Sequence, residues 1–343
     1  MATAIYDYPK SAEIEKVEQV LLPRLTARSP LFELFPFDAA TGEGTLLKWE
    51  QMDSYTDLQQ YRGYGGQPRL VNQKKINQYI SYPGVYGEKQ VIDEEQLTTR
   101  RIQGTWGEPV PINDLVGQSH EQLLTRRIDL IEWIISKLLV TGAFNILSGT
   151  GGSTVYSGSF TAQQFTSSVA WSTLATATPL ADFRAIKPFE FGQSVTFGAD
   201  AIALMNVVTA NQMLNNSNAA DLGGKRGQYG ATINSLEDWN KILVMNDLPR
   251  ISIYNGGYLN ETGTFQLFIP TGYVLVVGKR TTGRRMGYYR FTRNIHSPNM
   301  AAAPYVRVKM EEDVPSFVEV HDGHNGGPVL QFPGTIVVMN VSS

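Results

Sequence analysis

The chain has 343 residues, 42% of them apolar, a formal net charge of −3 and no cysteine. That size and composition suit one large folded unit or two modest subdomains around a real core, and the charge argues against a protein that grips nucleic acid by its backbone, which needs clustered Lys and Arg. The missing cysteine excludes disulfides, thiolate metal sites and cysteine nucleophiles, and fits a chain made in a reducing cytoplasm.

Met1–Lys10 lacks the basic run and apolar core of a secretory signal. Ser11–Leu22 predicts a short amphipathic helix capped by Ser11: Ile14, Val17, Val20 and Leu21 share a face opposite Glu13, Lys16 and Gln19, and Pro23 ends the pattern. Next, Leu31, Phe32, Leu34, Phe35 and Phe37 crowd into a stretch that Pro30 and Pro36 keep irregular. This arm cannot bury five large side chains alone, so it is expected to lie across a partner or across the body of the chain. Leu46–Pro111 reads as a long two-stranded excursion. Leu47 and Trp49 alternate with Lys48 and Glu50, Ile76, Ile80 and Tyr82 recur at even spacing, and Gln59–Arg69 is glycine-rich tip chemistry. A lone ribbon is marginal in water, so something must cover it, and a neighbouring subunit is the economical candidate.

Ser119–Leu147 carries the strongest helical pattern. Ser119 and Gln122 offer a capping box, Leu124, Ile128, Ile131, Ile135 and Leu138 follow at three- and four-residue steps, and Gly149, Gly151 and Gly152 stop the run. Its most apolar part, Leu123–Leu147, is broken by Arg126, Arg127, Asp129, Glu132 and Lys137, so it does not span a membrane and no membrane partner is expected. Ser153–Ser172 reads as a small surface hairpin carrying Val155, Tyr156, Phe160 and Phe165. Thr178, Pro179 and Asp182 open a second helix. Strands and short helices then alternate. Ala201–Met205 is a buried strand, Thr209 with Gln212 caps a short helix, Asn215–Gly230 is an exposed loop, and Ser235 caps a helix to about Met245. Further strands are predicted at Ile251–Tyr254, Phe265–Ile269, Val274–Val277 and Tyr305–Met310, with a central, continuously apolar one at Ile336–Met339. No internal repeat is present.

In this order the elements resemble the HK97-fold major capsid proteins of tailed bacteriophages, and within them the lambda-like capsid protein E family, over nearly the whole length. The stretches that carry the likeness are Thr178–Phe183, Phe197–Asn216, Leu248–Tyr258 and Phe265–Gly278. The resemblance implies an α+β fold divided into an N-terminal arm (1–44), an extended β-hairpin loop (45–112), a peripheral domain (113–195 and 306–343) around a spine helix (119–147), and an axial domain (196–305). It further implies a subunit that pairs with itself into hexamers and pentamers of an icosahedral head, is joined by a portal, and encloses double-stranded DNA without sequence-specific binding. The arm begins so near Met1 that a fused scaffolding segment has no room, and a separate scaffolding protein is expected. A decoration protein is the alternative to covalent cross-linking through Lys74, Lys75 or Lys89.

Chemical motifs point away from catalysis. His321, Asp322 and His324 form the best metal-like cluster, but Gly323, Asn325, Gly326 and Gly327 around them favour an exposed turn over a zinc site. His120 and His296 are isolated and read as structural. Gly224–Lys225 and Gly278–Lys279 lack the phosphate-loop pattern, and no nucleophile elbow occurs. Glu94–Glu95 and Glu311–Glu312, read as strand neighbours, point to opposite faces and serve as solvated surface. Arg100–Arg101, Arg126–Arg127 and Arg284–Arg285 are expected to pair with carboxylates between subunits more than to touch DNA. No catalytic, cofactor-binding or metal residue is singled out. The rival readings are a tail-tube or head-completion protein, a nanocompartment shell on the same fold, and an enzyme with an unrecognised site.

Overall fold

The structure is a computed structural model that describes residues 11–38, 44–52, 62, 64–67, 76–101, 107, 109–147, 154–159, 163–216, 235–260, 262–297, 300–311, 313 and 315–342. Most of the ribbon tip and of the 215–230 loop, together with Lys74, Lys75, Gly224–Lys225 and Glu312, lies outside the described residues.

Helix α1 (Ser11–Thr26) continues through Pro23 rather than stopping at it. The amide that Pro23 lacks would have bonded the carbonyl of Gln19, an exposed residue whose oxygen water can satisfy, so the interruption is cheap. A single turn, α2 (Leu31–Leu34), then buries Leu31, Phe32 and Leu34, and Phe35 beside it is fully buried. These side chains pack on the protein's own core, so the arm lies across its own body.

Strands β1 (Leu47–Met52) and β2 (Ile76–Ser81) form an antiparallel pair from Leu47↔Ser81 to Met52↔Ile76. The chain does not stay in the ribbon as far as Pro111. Strand β3 (Gly84–Ile92) already belongs to a larger sheet, and helix α3 (Glu94–Thr99) follows, capped by Asp93, whose carboxylate accepts from the Gln96 amide at 2.8 Å.

The spine, α4 (Ile112–Thr141), has 30 residues and is about 45 Å long at 1.5 Å per residue. It begins directly after Pro111, leaving Ser119 buried inside the helix rather than capping it. The extra turns bury Leu115 and Val116 against Val306, Val318 and Val320, a tertiary gain that local capping chemistry does not register. It ends earlier than predicted. Gly142 takes the left-handed conformation (φ 70°) and its N–H closes on the Leu138 carbonyl at 2.9 Å.

Residues past Gly142 turn back as β4 (Ala143–Leu147), paired antiparallel with β5 (Thr154–Ser159). β6 (Gln163–Thr166) does not close a hairpin with β5; it joins a five-stranded sheet. Helix α5 (Pro179–Ala185) starts at Pro179 as predicted, and its Asp182 accepts from Trp171 Nε1 at 2.8 Å. After β7 (Val195–Thr196) and β8 (Ile202–Met205) comes α6 (Val207–Leu214). Asn206, not Thr209, caps it, accepting from the Thr209 amide at 2.8 Å. Helix α7 (Leu236–Met245) is capped by Ser235, as its sequence indicates. The remaining strands are β9 (Arg250–Ile253), β10 (Gly257–Leu259), β11 (Phe265–Leu267), β12 (Tyr273–Val277), β13 (Lys279–Arg280), β14 (Gly287–Phe291), β15 (Tyr305–Glu311), β16 (Phe317–Leu330) and β17 (Ile336–Asn340).

Two sheets organise the molecule. One runs β6-β17-β12-β8-β9, and in it β12 and β17 are buried on both faces, which is why they read as unbroken apolar runs. Leu275, Val277, Ile336 and Val338 turn towards α4 and the arm, while Val274, Val276, Val337 and Met339 face α5, α6 and α7. The other sheet is built on β16, which pairs with β3, β14 and β15.

Candidate functional site

The cluster His321–Asp322–His324 is no exposed turn. It lies in the middle of β16, with Asp322 and His324 buried. The glycines around it mislead because they permit close backbone contact rather than a loop: a Cβ on Gly323 would sit 2.5 Å from the Tyr86 carbonyl oxygen, and one on Gly326 2.6 Å from that of Arg290. Asp322 accepts two bonds from Arg127 Nη1, at 3.0 and 3.1 Å, and Arg127 Nη2 also binds Glu18. One buried guanidinium of the spine thus ties α1 and β16 together. Burial pushes the Asp322 carboxyl up to about 6 against the pull of Arg127. His324 shares a 2.9 Å hydrogen bond with the Tyr289 hydroxyl and stacks on Tyr86, and burial holds it neutral. His321 bonds Glu319 at 3.1 Å, and Glu319 also holds Lys89 at 2.7 Å. Among the described residues no three His, Asp or Glu side chains are grouped to hold a metal ion.

A second buried polar tie lies further along the spine. Glu132 accepts from the Tyr254 hydroxyl, which is 3.4 Å from Ser29 Oγ in the arm. Arm, spine and the end of β9 therefore meet at one hydrogen-bonded point in an apolar core. Buried polar groups satisfied in this way fix one arrangement of the elements, whereas apolar packing alone tolerates sliding.

The other sequence candidates are dispersed. Arg126 makes a bidentate pair with Glu88 (2.6 and 2.8 Å), and Arg284 reaches the Asp200 carbonyl at 2.5 Å and Glu33 at 3.9 Å. These partners are in the same chain, where the sequence suggested neighbouring subunits. Arg101 bonds the Thr98 carbonyl at 2.6 Å. Glu94 and Glu95 form the first turn of a helix, where negative charge suits the dipole, rather than part of a strand. His296 contacts Arg307 and the Tyr305 ring.

His120 is fully buried with no hydrogen-bond partner among the described residues, and burial holds its imidazole down to about 4. It is neutral in the fold, while the unfolded chain's imidazole titrates near 6.5. Its contribution is therefore intact above pH 6.5 and is lost as pH falls from there towards 4, at up to about 1.4 kcal/mol per unit. His120→Leu should flatten this part of the acid slope in denaturant titrations at pH 7 and 5. An unchanged slope would reject the assignment.

The ribbon is covered on one face and bare on the other. Leu47 is buried against Ile134, Leu138 and Val329, and Trp49 stacks on Tyr79 at 5.6 Å. On the opposite face Ile80, paired with Lys48, is 66% exposed, and Tyr82, just past the end of β2, is 72% exposed. Beside the ribbon's base a groove of about 800 Å³ opens between β3, α4 and the β10–β11 hairpin, lined by Tyr86, Leu130, Trp133, Tyr258 and Phe265.

A spine helix crossed by its own arm, two sheets and a two-stranded ribbon make up the architecture. The same fold occurs in a chain assigned as the capsid protein of a prophage of Escherichia coli CFT073 (TM-score 0.59, 15% identity, covering 94% of this chain and 98% of that one). It occurs also in a phage-related protein of Bordetella bronchiseptica RB50 (0.52, 12%, 93% and 96%) and in the capsid of Myoviridae phage XM1 (0.51, 12%, 91% and 91%). No curated protein matches. Residues 20–337 match the family described as phage major capsid protein E, and the chain belongs to that family. It is a capsid-forming structural protein of the phage particle, and no helix among the described residues is long and apolar enough to cross a membrane.

Proposed function

We propose that this chain assembles with itself into hexamers and pentamers of an icosahedral head enclosing double-stranded DNA, and that it carries no catalytic activity. The arm, ribbon, peripheral and axial divisions drawn from the sequence serve this role: the ribbon projects over a neighbour while the two sheets form the rigid body. A separate scaffolding protein, a portal and assembly in the host cytoplasm belong to the same reading, with a decoration protein in place of cross-links. Many modest contacts between copies give strength in aggregate while each remains reversible during growth.

The observation that carries this reading is the exposed apolar side chains at the ribbon, Ile80 and Tyr82, on a chain that packs its arm onto its own core. Ile80→Glu and Tyr82→Glu should change the stability of the unassembled chain by less than about 0.5 kcal/mol, as surface substitutions do. In a shell, where the same face is desolvated, each should raise the concentration needed for assembly at least tenfold, a loss of about 1.4 kcal/mol per contact. Light scattering with negative-stain microscopy reads this out; normal shells from both variants at wild-type concentration would defeat the reading.

A further inference from the structure

Formal charge is unevenly spread over this acidic protein. Between the two sheets, Lys279, Arg284 and Arg250 act on Asp200, with Glu33 at the margin, and Arg280 and Arg285 lie close to one another in the same 279–285 segment, in a chain of net charge −3. Lys279 holds Asp200 at 2.9 Å and Arg284 is engaged by the Asp200 carbonyl and Glu33. Arg280 and Arg285 are different: no carboxylate pairs with either among the described residues. The Arg280 guanidinium carbon lies 3.3 Å from the Phe332 ring centroid and that of Arg285 lies 4.4 Å from the Tyr288 ring centroid. Stacking occupies the flat faces of both groups and leaves their N–H edges to grip an oxyanion in the plane. Arg285 also presses electrostatically on Arg280, a repulsion that an anion between them would relieve.

We propose that this surface, with Arg280 and Arg285 at its centre, is where the shell subunit touches the phosphodiester backbone of the enclosed DNA, without reading its sequence. This rests on the reading that the shell encloses DNA. A second copy of the chain is the weaker candidate partner. Glu18, Asp38, Glu88, Asp129, Asp247 and Glu319 are already paired within the chain. The largest remaining run of described acids, Asp93–Glu95, opens a short helix whose C-terminal end is followed by Arg100 and Arg101. A duplex, by contrast, offers closely spaced negative charges that any cluster of cations can meet. The acidic remainder of the chain keeps such contacts weak, as suits DNA that must leave the shell.

The test is binding of short duplexes of two unrelated sequences to the full chain, followed by fluorescence anisotropy over a range of salt. The wild type should bind both alike, with a log–log salt slope of about −3, and Arg280→Gln/Arg285→Gln should bring the slope to about −1. Arg285→Gln alone, at an exposed position, guards against misfolding and should give an intermediate slope. Inorganic phosphate at equal phosphate concentration should not displace the duplex; if it does, the site takes a small oxyanion and the proposal is wrong. Assembly of the same variants is followed by negative stain. Normal shells with weakened duplex binding support the surface, whereas lost shells with unchanged binding identify a subunit contact and overturn it. Duplex binding as described from a wild-type chain that forms no shells would uphold this surface while sinking the proposed function.

Discussion

Arg127→Met is expected to destabilise the folded chain by about 3–5 kcal/mol, the range for removing one partner of a buried ion pair. The guanidinium is 4% exposed and sits between Glu18 and Asp322, so its loss strands two carboxylates in the interior. Replacing the whole triad (Glu18→Leu, Arg127→Met, Asp322→Leu) should recover most of that loss, because an apolar set leaves no uncompensated charge. The pH dependence separates this account from lost packing. Burial already raises the Asp322 carboxyl to about 6, and without Arg127 it rises further. A carboxyl with a raised folded-state pKa destabilises when ionised and is relieved by protonation, so the deficit of Arg127→Met relative to wild type should shrink from pH 8 to pH 5. Urea titrations at both pH values decide it. A deficit below about 1 kcal/mol, or one equal at both pH values, would mean the triad does not hold the arm.

The sequence made the triad half visible. Leu124, Ile128, Ile131 and Ile135 revealed the buried stripe of the spine by their spacing, and the same spacing puts Arg127 and Glu132 on that stripe. They interrupt the apolar run and so forbid a membrane span, and a charge on a buried stripe also needs a buried partner. Those partners, Glu18, Asp322, Ser29 and Tyr254, are remote in sequence, and no local pattern connects them.

Elements whose own side chains decide their conformation were legible: the middle of the spine, β12 and β17, the Ser235 cap, and the alternation of β15. Elements decided by contacts elsewhere were not. Ala143–Leu147 continues an apolar run and passes for helix, yet Gly142 reverses the chain and β5 supplies its hydrogen bonds. Strand β16 carries the least local signal of all. Its acidic, histidine and glycine residues carry no strand propensity, and only the approach of β3, β14 and β15 explains them.

That crowding yields the second large effect. Gly287→Ala, at the start of β14, would place a Cβ 1.9 Å from the Val329 carbonyl oxygen and 3.0 Å from the Phe35 ring. The first obstacle is backbone in a strand held on several sides, so it cannot swing away as a side chain would. Either the Gly287↔Leu330 register opens or β16 shifts and carries the arm's Phe35 with it. Overpacking of this kind costs about 3 kcal/mol or more. Gly117→Ala is the matched control: it lies on the exposed side of α4, and its Cβ would meet nothing within 4 Å. There the same added methyl should stabilise by about 0.5–1 kcal/mol through helix propensity alone. Thermal and urea unfolding of the two variants should move in opposite directions from the wild type. If Gly287→Ala instead matched the wild type, β14 would have room against β16, and close backbone approach would not explain why the central strand is so rich in glycine.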